Sequence, residues 1–164
     1  MFFPTVTGSN LEDREFVLPY GLDGEYNVLM LAFEPTHQSA LRSWLPTLDH
    51  LAEEYTDFRY YEVAVLWDLP PLQRLFVDNG MRRAIQDEDL RARVITVYVD
   101  KAAFCNTLDL TDEERIYVLL IDREGQVLWR TDGAATRQST LALIDQVRLI
   151  FSVDNEINFP LTGF

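Results

Sequence analysis

The run Asn27 to Phe33 (NVLMLAF) constrains the fold more than any other segment of the chain. Apolar side chains fill both alternating sets of positions, so a strand here has no face to give to water, and such strands belong at the centre of sheets covered on both sides. Helical layers must therefore lie above and below it, which is the α/β arrangement. The next segment supplies one layer. From Gln38 to Tyr55 the positions Leu41, Trp44, Leu45, Leu48, Leu51, Ala52 and Tyr55 recur every three or four residues, as on one face of an amphipathic helix. Pro46 lies inside it, lacks the amide of an interior helical residue and crowds the carbonyl of Arg42, so a kink near the second turn is expected.

The alternation continues. Phe58 to Leu66 (FRYYEVAVL), rich in aromatic and β-branched residues, predicts a second strand, followed by a loop through Trp67-Asp68-Leu69-Pro70-Pro71. One or two helices cover Leu72 to Leu90 with a break near Asn79-Gly80, then Arg93 to Asp100 (RVITVYVD) reads as a third strand and Ala102 to Leu108 as a short helix. Arg115 to Asp122 and Gln126 to Thr131 form a hairpin whose turn places Gly125 in the left-handed region, and Thr136 to Phe151 closes the fold with a helix. The predicted order is β-α-β-α-β-α-β-β-α. Residues 152 to 164 (SVDNEINFPLTGF) show no helical period but keep Ile157, Phe159, Leu161 and Phe164, so an ordered tail is expected, packed on its own domain or on a second copy in a homodimer. A length of 164 residues with 48% hydrophobic content suits one domain, residues 1 to 164, with its core over about 14 to 150.

Charge and side-chain counts exclude several functions. A formal net charge of −13 opposes nucleic acids and anionic membrane faces. One cysteine rules out an internal disulfide and a CxxC pair, and with two histidines it rules out zinc sites made of Cys and His alone, so no metal and no cofactor are expected. No P-loop, nucleophile elbow or dinucleotide fingerprint occurs. The Met-Phe-Phe-Pro start lacks a basic and then apolar leader and no apolar run approaches the roughly 20 residues of a membrane span, so a soluble cytoplasmic protein, monomeric or homodimeric, is expected.

The element order, the helix Leu45-Pro46-Thr47-Leu48-Asp49-His50-Leu51-Ala52-Glu53-Glu54-Tyr55 with its internal proline, and the tract Ile116 to Trp129 (IYVLLIDREGQVLW) together resemble the thioredoxin-like superfamily over about residues 14 to 150. The hairpin is similar to that of the peroxiredoxin and thiol-disulfide branches, and the chain is similar to cysteine-poor alkyl hydroperoxide reductase-like members and, distantly, to the mitochondrial ATP-synthase assembly factor of this fold. The resemblance implies a central mixed sheet flanked by helices and ending in a β-hairpin and helix. It places the family's redox motif on Gln38-Ser39-Ala40-Leu41, where both cysteines are missing. In the peroxiredoxin register Pro35 and Ser39 match, and Arg42 stands where that branch has its reactive cysteine. The family's cis-proline falls near Ile116, and no proline lies between Pro71 and Pro160.

A binding role follows, without thiol chemistry. Thr36, His37, Gln38, Ser39 and Arg42 occupy the entry to the first long helix, where free amides and the macrodipole favour an anionic group, and they are the candidate contacts to a protein or peptide partner, together with the loop before Ile116. His37 and Gln38 also suit plain capping roles. The enzymatic alternative is a thiol-dependent peroxidase relying on Cys105 alone, a residue that equally suits a small buried hydrophobe. Arg74, Arg82, Arg83, Arg91 and Arg93 crowd one stretch beside Asp78, Asp87, Glu88 and Asp89, which predicts internal ion pairing. Asp112-Glu113-Glu114 after Thr111 reads as the first turn of a capped helix.

Overall fold

A computed structural model describes residues 1–158 of the chain. The strands are β1 (Val6–Asn10), β2 (Glu15–Leu18), β3 (Tyr26–Ala32), β4 (Phe58–Trp67), β5 (Val94–Val99), β6 (Tyr117–Asp122) and β7 (Val127–Asp132). The helices are α1 (Gln38–Glu54), α2 (Pro71–Ala84), α3 (Glu88–Arg93), α4 (Lys101–Thr107) and α5 (Arg137–Asn158), with a 3-10 turn over Pro35–His37 leading into α1. The strands form one mixed sheet in the order β2-β1-β5-β4-β3-β6-β7. β3 lies between parallel β4 and antiparallel β6, and six of its seven residues are buried. Its continuous apolar run is the sequence form of that central position.

Each face of the sheet carries its own core. On one face Leu29, Leu31, Val63, Val65, Ile95, Val97 and Leu119 pack under α4, with Phe3, Phe16 and Phe104. On the other, Val28, Met30, Tyr60, Val118 and Leu120 pack under α1 and α5, which contribute Leu41, Trp44, Leu48, Leu51, Leu143 and Val147. Pro46 lies within the unbroken span of α1 on its exposed side, while Leu48 is fully buried.

Four local expectations change. The core begins before residue 14, because Phe3 is buried and an N-terminal hairpin of β1 and β2 extends the sheet. Its polar sequence VTGSN hides a strand that reaches β5 because Gly8 has no side chain: a Cβ there would lie 2.6 Å from the Thr96 carbonyl oxygen. Second, α2 runs through Asn79-Gly80, since one interior glycine costs only about 1 kcal/mol. The break falls at residues 85–87, where the Asp87 carboxylate accepts the Asp89 amide and starts α3. Third, Asp112 caps a bend and not a helix, accepting the Glu114 amide at 3.0 Å. Fourth, α5 continues to Asn158, held by Phe151 stacked on Tyr55 at 4.4 Å and by the Tyr26 hydroxyl donating to Asp154 at 2.7 Å. The tail expectation for Ile157, Phe159, Leu161 and Phe164 concerns side chains outside the described residues.

Candidate functional site

The alternation of β4 sets the floor of the site. Phe58 and Tyr60 pack on the α1 side, and by strand alternation Glu62 and Ala64 share that face, Glu62 in register with Met30 on β3 and Val94 on β5. Gln38, the first residue of α1, donates from Nε2 to Glu62 Oε1 at 3.1 Å. Burial raises the Glu62 carboxyl above the ordinary carboxylate range, while the Gln38 hydrogen bond and the positive charge of Arg42 work against that rise.

Two adjoining cavities open around this carboxylate and share Gln38, Arg42, Glu62, Ala84 and Ile85 in their walls. One, of about 220 Å³, is lined by Met30, Leu41, Leu45, Leu90 and Val94, with Asp87 and Arg93 also in its wall. The other, of about 300 Å³, runs between Ala32, Ala64 and Leu66 on the sheet and Val77 and Met81 on α2. The gap exists because α2 is fastened by polar struts and not by apolar packing. No residue of α2 is buried. Tyr98 on β5 donates to Asp78 at 2.7 Å and lies under the Arg74 guanidinium at 4.8 Å, and Arg82 bonds the Leu11 carbonyl at 2.8 Å and Asp13 at 2.9 Å. On the outside of the same helix Leu72, Leu75 and Phe76 are exposed.

The predicted site residues separate. Gln38 and Arg42 line both cavities. Thr36 is exposed at the rim and donates to Glu34, and Ser39 is exposed outside the lining. His37 turns inward: it is 6% exposed, its Nδ1 accepts the Phe33 amide at 3.1 Å and its ring meets Phe33 edge-on at 6.4 Å, so it caps the chain from within and does not reach the cleft. The loop before Ile116 is also closed on itself, with the Ile116 carbonyl accepting the Gly133 amide and Arg115 paired with Asp112 and Asp132. Glu62 is missing from the sequence-based candidates, although a carboxylate at the midpoint of the apolar run FRYYEVAVL is a legible signal for a functional position.

Cys105 lies on α4 and packs against the core of the opposite sheet face from α1. Burial and the neighbouring Glu113 raise its thiol pKa, against the opposing charge of Lys101. Four of the five arginines of that stretch are ion-paired, but with partners from elsewhere: Arg74 with Asp68, Arg82 with Asp13, Arg91 with Glu12 and Arg93 with Asp49. Among the described residues no three His, Cys, Asp or Glu side chains converge as a metal site would require, and no helix is long and apolar enough to cross a membrane.

A mixed seven-stranded sheet flanked by helices, with the first long helix entering beside the central strand and a closing hairpin and helix, defines a thioredoxin-like α/β fold. Solved structures sharing it include the exposed lipoprotein thioredoxin of Streptococcus pneumoniae, 14% identical with a TM-score of 0.56 over 88% of this chain and 98% of that one. A thiol:disulfide interchange protein from a Bacteroides species is 15% identical with a TM-score of 0.60, covering 90% of this chain and 88% of its own. The thioredoxin domain of a thiol-disulfide oxidoreductase from Bacteroides vulgatus is 15% identical with a TM-score of 0.50, over 89% and 94%. No family model and no curated protein matches the chain.

Proposed function

We propose that this chain is a redox-inactive thioredoxin-fold module that binds a peptide or protein segment in the cleft between α1, β4 and α2. One observation carries the reading: at the start of α1, where the redox motif would stand, Gln38 reaches down to a carboxylate between two apolar cavities, and the sole cysteine lies across the sheet. Gln38 and Arg42 act as partner contacts, with Thr36 and Ser39 on the exposed rim and His37 fixing the turn from inside. The peroxiredoxin-like register, with Arg42 at the reactive position, and the distant likeness to an assembly factor both accord with a scaffold kept for contact after loss of its chemistry. The competing reading, a peroxidase using Cys105, is disfavoured because burial and Glu113 push its thiol pKa up, away from the thiolate that attack requires.

Panning a random heptapeptide library on the full chain tests the reading. Enriched peptides should bind native protein and be lost with Met81→Trp, which fills the α2 side of the cleft. Peptides retained on that variant, or peroxide consumption with a dithiol that disappears in Cys105→Ser, would overturn it.

A further inference from the structure

The floor of the cleft specifies a ligand class. Glu62 sits among apolar neighbours, and desolvating a carboxylate there is costly unless something compensates it. Gln38 satisfies Oε1 alone. Among the described residues Oε2 has no hydrogen-bond partner and no cationic nitrogen within 4.0 Å of the carboxylate, yet this oxygen is not sealed in and opens to the cleft. Of the two arginines in the cavity walls, Arg42 stands exposed at the rim, where water screens it, and Arg93 is engaged by Asp49 and the Tyr60 hydroxyl.

We propose that the cleft binds a primary ammonium on an apolar stem, with the ammonium on Glu62 and the stem in the cavity of about 300 Å³ beside Val77 and Met81. This chemistry belongs to a lysine side chain within an apolar peptide segment and equally to a free alkylamine; its peptide form rests on the binding-module reading above. Cavities of about 220 and 300 Å³ are at or below the small end of ligand pockets, so they suit side-chain-sized groups and not a large cofactor. The net charge of −13 draws cations toward the molecule, and an anionic ligand would meet the Glu62 carboxylate. A neutral stem gains the apolar contact but leaves Oε2 unpaired.

The test titrates hexylammonium, hexanol and hexanoate into the full chain and follows backbone amide shifts. Hexylammonium should bind about tenfold or more tighter than the other two, a margin expected of a charge-assisted hydrogen bond in a desolvated site. Glu62→Gln should reduce hexylammonium to the affinity of hexanol and leave hexanol unchanged, and Met81→Trp should weaken both without touching the carboxylate. Hexanoate binding more tightly than hexylammonium, or equal hexylammonium affinity in native protein and Glu62→Gln, overturns the proposal; the ligand ranking and Met81→Trp decide it even if Glu62→Gln fails to fold. A capped Leu-Lys-Leu peptide, compared with its norleucine analogue, separates the sources. Hexylammonium binding without any peptide binding keeps the ammonium site and removes the peptide reading. Panned peptides that bind without a basic residue, with hexylammonium no tighter than hexanol, remove the ammonium site and keep the module.

Discussion

Burial acts on the Glu62 carboxyl and the Cys105 thiol in the same direction, raising both pKa values. For Glu62 the folded-state pKa lies above the unfolded value of about 4.3, so between those two values the folded chain holds more proton than the unfolded one. Stability from this group is therefore full at pH 4 and falls as pH rises through the folded pKa. Glu62→Gln, which removes the titration, should match the native protein at pH 4 and gain on it toward pH 7 in urea unfolding; a variant that loses more stability at pH 7 than at pH 4 contradicts the assignment. For Cys105 the raised pKa predicts slow reaction with an aromatic disulfide at neutral pH, with a rate still rising with pH at about pH 8.5. A rate that has levelled off by pH 7 would indicate an activated thiolate. The residue-scale signal in the sequence was uneven: Gln38 and Arg42, singled out from their place at a helix start, line the cleft, whereas the inward turn of His37 depends on the backbone amide of Phe33, which no side-chain pattern records.

Among the elements, those with strong periodicity were legible and those held by polar contacts were not. β3, β4 and α1 could be read because burial is written directly into apolar spacing, and the fully buried Leu48 gives the check: Leu48→Ala should cost about 2–5 kcal/mol in chemical denaturation, while a cost under about 0.5 kcal/mol would mean that α1 does not pack on the sheet as described. β1, the course of α2 through Gly80 and the last turns of α5 escaped, since they depend on a missing Cβ at Gly8, on hydrogen bonds from Tyr98 and Arg82, and on the Tyr26–Asp154 contact. α2 should accordingly behave as a cover fastened at a few polar points. Tyr98→Phe removes one of them and should cost about 1 kcal/mol. Amide exchange should then speed up in Pro71–Ala84 and stay slow in β3 and β4; uniform acceleration across the sheet would show that Tyr98 supports the core and not the cover.

At the scale of the whole molecule, a thioredoxin-like sheet carries two unlike faces: α4 with its partly buried cysteine on one, and on the other a cleft roofed by α2 and centred on Glu62. The fold class was legible because element order survives where sequence identity does not, but the cleft was not, because it is made by the spacing between α2 and the sheet and no short motif encodes it. The position of the redox motif put the sequence-based candidates at the head of α1, and the topology adds the floor of the cleft from β4, a strand further along the chain. The decisive measurement is an amide shift map of the full chain titrated with the capped Leu-Lys-Leu peptide. Shifts should centre on Gln38, Arg42, Glu62 and Ile85, with Cys105 and its neighbours on α4 still. Shifts centred on Cys105 or on the loop before Ile116, with the cleft amides unmoved, or an unchanged spectrum, would contradict a binding cleft at the head of α1.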